Sequence, residues 1–186
     1  MPPSPRRCYP VLTDSPNAWP YVGGRVITAA LESDLLDRVR EASPGFFESL
    51  IVDLLIAMGY GGGRAEMGQA IGRAGDGGID GIIKEDALGL DIVYVQAKRY
   101  AGQNTVGRSE VQSFAGSLDG VGATKGIFVT TSSFSQGARE FVERIAKRIV
   151  LVDGAELARL MVEHKVGVRT RTTYELKKVD EDYFTE

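Results

Sequence analysis

The sequence predicts an α/β fold, a central mixed β-sheet flanked by helices, and three observations predict it. Apolar residues recur at helical spacing over 28–42, 44–58 and 135–147. Short runs of strand character, Ile79–Lys84, Leu90–Lys98, Lys125–Thr131 and Ile149–Val152, stand among them. The resulting order of helix, hairpin, helix, strand, helix, strand, helix describes a mixed sheet with helices on its faces.

Six of the seven prolines fall in the first twenty residues, so residues 1–27 read as a tail or severed linker that forms neither helix nor central strand. Leu31, Leu35 and Val39 then mark one helix over 28–42. Ser43-Pro44 has the form of an N-cap followed by proline in the first turn. The helix it opens carries Phe47, Leu50, Ile51, Leu54 and Met58 on one stripe and ends at Gly59, with Glu48 at the stripe's edge. The glycine-rich stretch 60–74 holds one alternating run, 65–71, either an edge strand or a loop. The polar stretch 101–107 reads as a loop. Ser109 to Gln112 has capping-box spacing and opens a helix to Leu118; Asp153 with Glu156 does the same for a helix to about His164.

At 186 residues and 43% hydrophobic the chain can bury one good core. A net charge of −3 gives no global attraction to nucleic acid, although an acidic metal site can coexist with a local basic groove. The single cysteine, Cys8, excludes an intramolecular disulfide and suits a reducing cytosol. With neither an apolar run near the ~20 residues of a membrane span nor a signal segment, a soluble cytoplasmic protein is expected.

The chemistry concentrates in Asp76–Tyr100. The two strand runs there are joined by Glu85-Asp-Ala-Leu-Gly89, a hairpin. Side-chain alternation puts Gln96 and Lys98 on one face, which Asp80 approaches from the neighbouring strand. An acid, an amide oxygen and an ammonium at one sheet end suit a hard divalent cation and a water beside a phosphodiester. Taken singly, Asp80 between glycines is a turn residue, Gln96 and Lys98 a solvated strand end, and Glu48 an acid favoured by the helix dipole. Arg99 and Arg108 are candidate phosphate contacts. Gln112 fits either the cap or a phosphate contact, and Thr130 either a cleft wall or a loop cap. Asp76 is read as shaping the glycine turn, with support of the site as the alternative. One histidine without a cysteine partner does not make a zinc site, and the glycines match neither nucleotide-binding fingerprint.

Gly75-Asp-Gly-Gly-Ile-Asp80-Gly followed by Val95-Gln96-Ala-Lys98-Arg99-Tyr100 resembles the Mrr type of restriction endonuclease domain, within the PD-(D/E)XK nuclease superfamily. The likeness extends through Phe46-Phe-Glu48, Met58-Gly-Tyr-Gly61, Val111-Gln112-Ser-Phe-Ala, Gly126-Ile-Phe-Val-Thr-Thr-Ser132 and Asp153-Gly, covering roughly 28–186. It implies a restriction-endonuclease-like fold and a Mg²⁺-dependent (or Mn²⁺-dependent) DNA endonuclease acting on foreign, modified DNA. By the same resemblance Asp80, Gln96 and Glu48 hold the metal and Lys98 polarises the attacking water, and the preference of magnesium for oxygens adds the Ala97 carbonyl to the set. Glutamine at 96 leaves Asp80 as the one carboxylate of the strand pair. Such proteins commonly carry an N-terminal winged-helix reader, so a recognition domain, a separate subunit or a second copy is the expected partner beside DNA; neither membrane nor nucleotide is expected. The alternatives are a non-catalytic DNA-binding module of the same fold and a junction-resolving or repair nuclease.

Overall fold

One strand, Ile92–Lys98 (β3), lies at the centre of the sheet and brings the two kinds of pairing together. The structure, a computed structural model, describes residues 19–71, 78–86, 88–100, 104–172, 179 and 181–184. In chain order the elements are α1 (Trp19–Glu41), α2 (Pro44–Ala57), β1 (Gly68–Ala70), β2 (Gly81–Lys84), β3, β4 (Thr105–Val106), α3 (Arg108–Gly120), β5 (Lys125–Thr130), β6 (Ser133–Phe134), α4 (Gln136–Arg144), β7 (Arg148–Val152) and α5 (Gly154–Glu163). The main sheet has the order β1-β2-β3-β5-β7. β1, β2 and β3 pair antiparallel, whereas β3, β5 and β7 pair parallel. The mixed sheet read from the sequence is therefore present.

Local chemistry explains most boundaries. The Ser43 hydroxyl accepts the Phe46 N–H at 3.2 Å with Pro44 in the first turn, and Gly59 beyond the helix end takes a left-handed φ of 102°. α2 buries Phe47, Leu50, Ile51 and Leu54 as read, together with Val52 and Leu55. Asp153 caps α5 by accepting the Glu156 N–H at 3.1 Å. The hairpin turn is held by Asp86, whose carboxylate accepts the Leu88 and Asp91 N–H groups at 2.7 and 2.8 Å.

Four expectations change. α1 begins at Trp19, so the boundary expected between 27 and 28 falls inside a helix; Pro20 is tolerated because the first-turn N–H groups have no helical partner. Leu31 is exposed although it shares spacing with the buried Leu35 and Val39. The stretch 101–107 is not all loop: Thr105–Val106 pairs parallel with Ser133–Phe134. α3 opens at Gly107 rather than Ser109, because Glu110 at the third helical position accepts the Gly107 N–H at 2.8 Å. The expected turn at Asp76 lies outside the described residues.

The sheet divides two apolar clusters. One, under α1, α2 and α5, contains Leu35, Phe47, Ile51, Ile83, Val95, Val129 and Leu157; the other, under α3 and α4, contains Val111, Phe114, Leu118, Phe128, Phe134 and Ala138. Phe128 meets Phe114 and Phe134 edge-on at 5.6 and 5.5 Å, contacts that each add about 0.5–1.5 kcal/mol beyond area burial. Gly126 lets α3 close on β5, since a Cβ there would stand 2.8 Å from the Phe114 ring and 3.0 Å from Leu118. Among the described residues no helix is long and apolar enough to cross a membrane. Gly126→Ala should therefore cost about 1–3 kcal/mol in denaturant melts. Adding Phe114→Leu should recover part of that loss, and a neutral single variant would contradict the close packing.

Candidate active site

The β2–β3 register positions the site. Gly81 pairs with Val95, so Asp80, immediately before β2, lies level with the end of β3. Its backbone N–H donates to the Val95 carbonyl at 2.8 Å, and its Oδ2 accepts the Ala97 N–H at 2.8 Å. Ala97 thus meets Asp80 through its backbone N–H.

Gln96 is 8% exposed, and its Oε1 is buried with no hydrogen-bond partner among the described residues. A buried amide oxygen without a donor costs about 1–3 kcal/mol unless something absent from the protein satisfies it. Gly78 shapes this pocket: at its φ of 93° a Cβ would meet Gln96 Nε2 at 2.6 Å. Two residues on, Lys98 Nζ donates to Glu110 Oε1 at 3.0 Å, and Tyr100 OH donates to the same oxygen at 2.5 Å.

Glu48 lies near the start of α2 and is half-buried. Burial raises its pKa, and the Asp80 charge raises it further, which brings the two carboxylates into one electrostatic unit. Asp80 is likewise raised by burial, against the lowering pull of the Ala97 N–H and the Lys98 charge. Burial works to lower the Lys98 pKa, yet its bonds to Glu110 and Tyr100 prevail and hold the ammonium above its ordinary value. Two mutually repelling carboxylates and an orphaned amide oxygen fit a hard divalent cation, whose ligands are oxygens. Among the described residues no three His, Cys, Asp or Glu side chains converge.

The other expected residues separate. Arg99 Nη1 donates to the Arg40 carbonyl at 2.5 Å, tying the end of α1 to β3, while the residue also lines the cleft beside Lys98. Arg40 in turn reaches the Thr131 carbonyl at 3.1 Å. Thr130 is fully buried, its hydroxyl accepting the Ser132 N–H at 3.2 Å, so it supports the strand end and is not a surface for DNA. Arg108 and Gln112 are exposed one turn apart on α3, with the Arg108 guanidinium 5.4 Å from the Phe141 ring centroid. Sequence reading missed Glu110 and Tyr100 as partners of Lys98; the Gly107-x-x-Glu110 spacing was the available signal for the first.

A family model described as restriction endonuclease, the Mrr catalytic domain, matches residues 39–161. The type IV methyl-directed restriction enzyme EcoKMrr of Escherichia coli (strain K12) is 48% identical over 155 residues, 83% of this chain and 49% of that protein. The chain thus spans about half the length of the curated relative it matches. A solved structure of the MspJI restriction endonuclease in complex with a 27-mer oligonucleotide is similar in fold, with a TM-score of 0.54 at 24% identity over 83% of this chain and 35% of that one.

The raised carboxyls give a pH test. Between the ordinary carboxylate value of about 4 and the raised folded values, the native state binds more protons than the unfolded chain, so these groups make stability fall as pH rises. Asp80→Asn removes the repulsion and keeps an oxygen for the Ala97 N–H. In chelator, it should raise the neutral-pH Tm and flatten the difference from wild type below about pH 4; identical melts would contradict the paired-carboxylate site.

Proposed function

Because the chain belongs to the Mrr-type restriction endonuclease family, we propose that it is a divalent-metal-dependent endodeoxyribonuclease that hydrolyses phosphodiester bonds in foreign, modified DNA. The buried, unpartnered Gln96 Oε1 beside Asp80 carries the metal part of this reading. Asp80, Gln96 and Glu48, with the Ala97 carbonyl, would hold Mg²⁺ or Mn²⁺. The bound ion would polarise the phosphoryl group and lower the pKa of a water.

The protein's own groups have separable tasks. Lys98 keeps its proton at neutral pH, so it acts as a donor and charge stabiliser and not as a base. Its ammonium steadies the negative charge that builds on the phosphate oxygens as the water oxygen bonds to phosphorus and the P–O bond to the leaving strand breaks, the water's proton passing to solvent and the leaving oxygen taking one from it. The half-buried carboxylates and the Gln96 amide orient the reacting groups from one side. Arg108 and Gln112 offer an exposed strip of α3 to the DNA backbone, whose binding would weaken with salt. We take the nuclease unit to include the whole of α1, Trp19–Glu41, with the elements that follow it. Methyl direction is a property named for the Escherichia coli relative; its extension to this chain, through a recognition domain, a subunit or a second copy, belongs to this proposal.

Incubation with methylated and unmethylated plasmid should give Mg²⁺-dependent nicking that EDTA abolishes and methylation increases. Asp80→Ala and Lys98→Ala should each lower the rate by about 100-fold or more. Cutting that survives both substitutions would overturn the site. DNA binding without cutting under Mg²⁺ or Mn²⁺ would instead support a non-catalytic module.

A further inference from the structure

We infer that Glu110 is a positioning residue that holds the Lys98 ammonium and the Tyr100 phenol in their working arrangement; this rests on the nuclease reading above. One carboxylate serves three donors. Oε2 accepts the Gly107 N–H at 2.8 Å, while Oε1 accepts Lys98 Nζ at 3.0 Å and Tyr100 OH at 2.5 Å. A capping acid requires only the first of these bonds. The others reach across from the start of α3 to the end of β3, twelve and ten residues away in sequence.

The anchors on both sides are rigid. Tyr100 is fixed through its backbone, whose N–H donates to Thr131 Oγ1 at 2.8 Å and whose carbonyl accepts from the same hydroxyl at 2.9 Å; Thr131 is fully buried. The start of α3 is fixed through Val106, fully buried in β4, whose carbonyl accepts the Ser135 N–H at 2.9 Å. Between these anchors the Lys98 ammonium lies 6.0 Å from the Tyr100 ring centroid. The Lys98 and Glu110 side chains are 36% and 26% exposed, whereas a single-helix pair such as Arg38–Asp34 is 74% and 62% exposed. A lysine has a four-carbon stem with many rotamers, and an exposed ion pair restrains it little. Glu110 supplies that restraint before DNA arrives, which preorganises the ammonium for the chemical step. Tyr100 shares a cleft of about 300 Å³ with Pro44, Phe47, Ala97, Lys98 and Arg99, so the same bond also shapes the wall beside the ammonium.

The test compares wild type, Glu110→Ala, Glu110→Gln and Asp80→Ala in three measurements. These are plasmid cleavage with Mg²⁺, DNA binding with Ca²⁺ replacing Mg²⁺, and the side-chain ammonium NMR signals of ¹⁵N-lysine-labelled protein, with Lys98 assigned from Lys98→Arg. Glu110→Ala should lower kcat on the order of 10- to 100-fold, leave KM and binding within about threefold, and lose the slow-exchanging Lys98 signal. Glu110→Gln should fall between, because its amide oxygen can still accept from Lys98 and Tyr100 while the Gly107 N–H loses its partner. If the alanine variant does not fold, the glutamine variant carries the same comparison. Asp80→Ala should abolish cutting and keep the Lys98 signal, separating loss of the metal site from loss of positioning. A wild type that does not cut would sink the nuclease reading itself. With an active wild type, three results would overturn the role of Glu110: a Glu110→Ala rate at or above wild type, a reduced rate with the Lys98 signal intact, or a loss entirely in binding.

Discussion

The hydrogen bond from the Ala97 N–H to Asp80 Oδ2, 2.8 Å long, is the contact on which the site depends. It ties the entry of β2 to the exit of β3, and it exists only in the register that pairs Gly81 with Val95. A slip of one residue would turn Gln96 and Lys98 to the opposite face and bring Val95 and Ala97 to theirs. Burial prevents this, because Val95 and Ile83 belong to the cluster under α2 and are 1% and 0% exposed. The apolar pattern that folds the sheet is thus also what aims its polar residues.

Electrostatics and packing oppose each other at this end of the sheet. Burial raises both Asp80 and Glu48, so the metal-free protein holds two carboxylates in a place that disfavours their charge. The Gln96 oxygen adds an unsatisfied acceptor. A cation would relieve all three at once, and binding would therefore stabilise the fold as well as enable chemistry. On the other side of the site the signs are reversed. Glu110 is lowered by its bonds from Tyr100, Gly107 and Lys98, although burial raises it, so the ammonium is already satisfied in the free protein. The acid side thus holds charge that burial disfavours, whereas the basic side is paired.

Much of this was legible in the sequence where the signal is local. The α2 start at Ser43-Pro44, the α5 cap at Asp153 and the β2–β3 hairpin follow from capping and alternation, which need only near neighbours. Asp80, Gln96 and Lys98 were legible as a set because strand periodicity and family likeness agree. What could not be read depends on partners distant in the chain. Thr130 looks like a polar cleft residue at a strand end, yet Ser132 and the surrounding core enclose it. Arg99 looks like a phosphate contact, yet the end of α1 brings the Arg40 carbonyl to it. The short parallel pairing of β4 with β6 joins segments 28 residues apart, and two-residue strands leave no periodicity to detect. Proline-rich composition concealed the start of α1, because a proline at the first turn is compatible with a helix that composition alone excludes.

Paramagnetic relaxation by Mn²⁺ tests the central claim most directly. Seen by NMR, substoichiometric Mn²⁺ should broaden first the Gln96 side-chain amide and the backbone signals near Asp80, Ala97 and Glu48. The acidic turn containing Glu85, Asp86 and Asp91 lies at the far end of the seven-residue β3, about 20 Å away at strand rise, and should keep its signals. Broadening centred on that turn, or spread evenly over the surface, would contradict a cation site built from Asp80, Gln96 and Glu48.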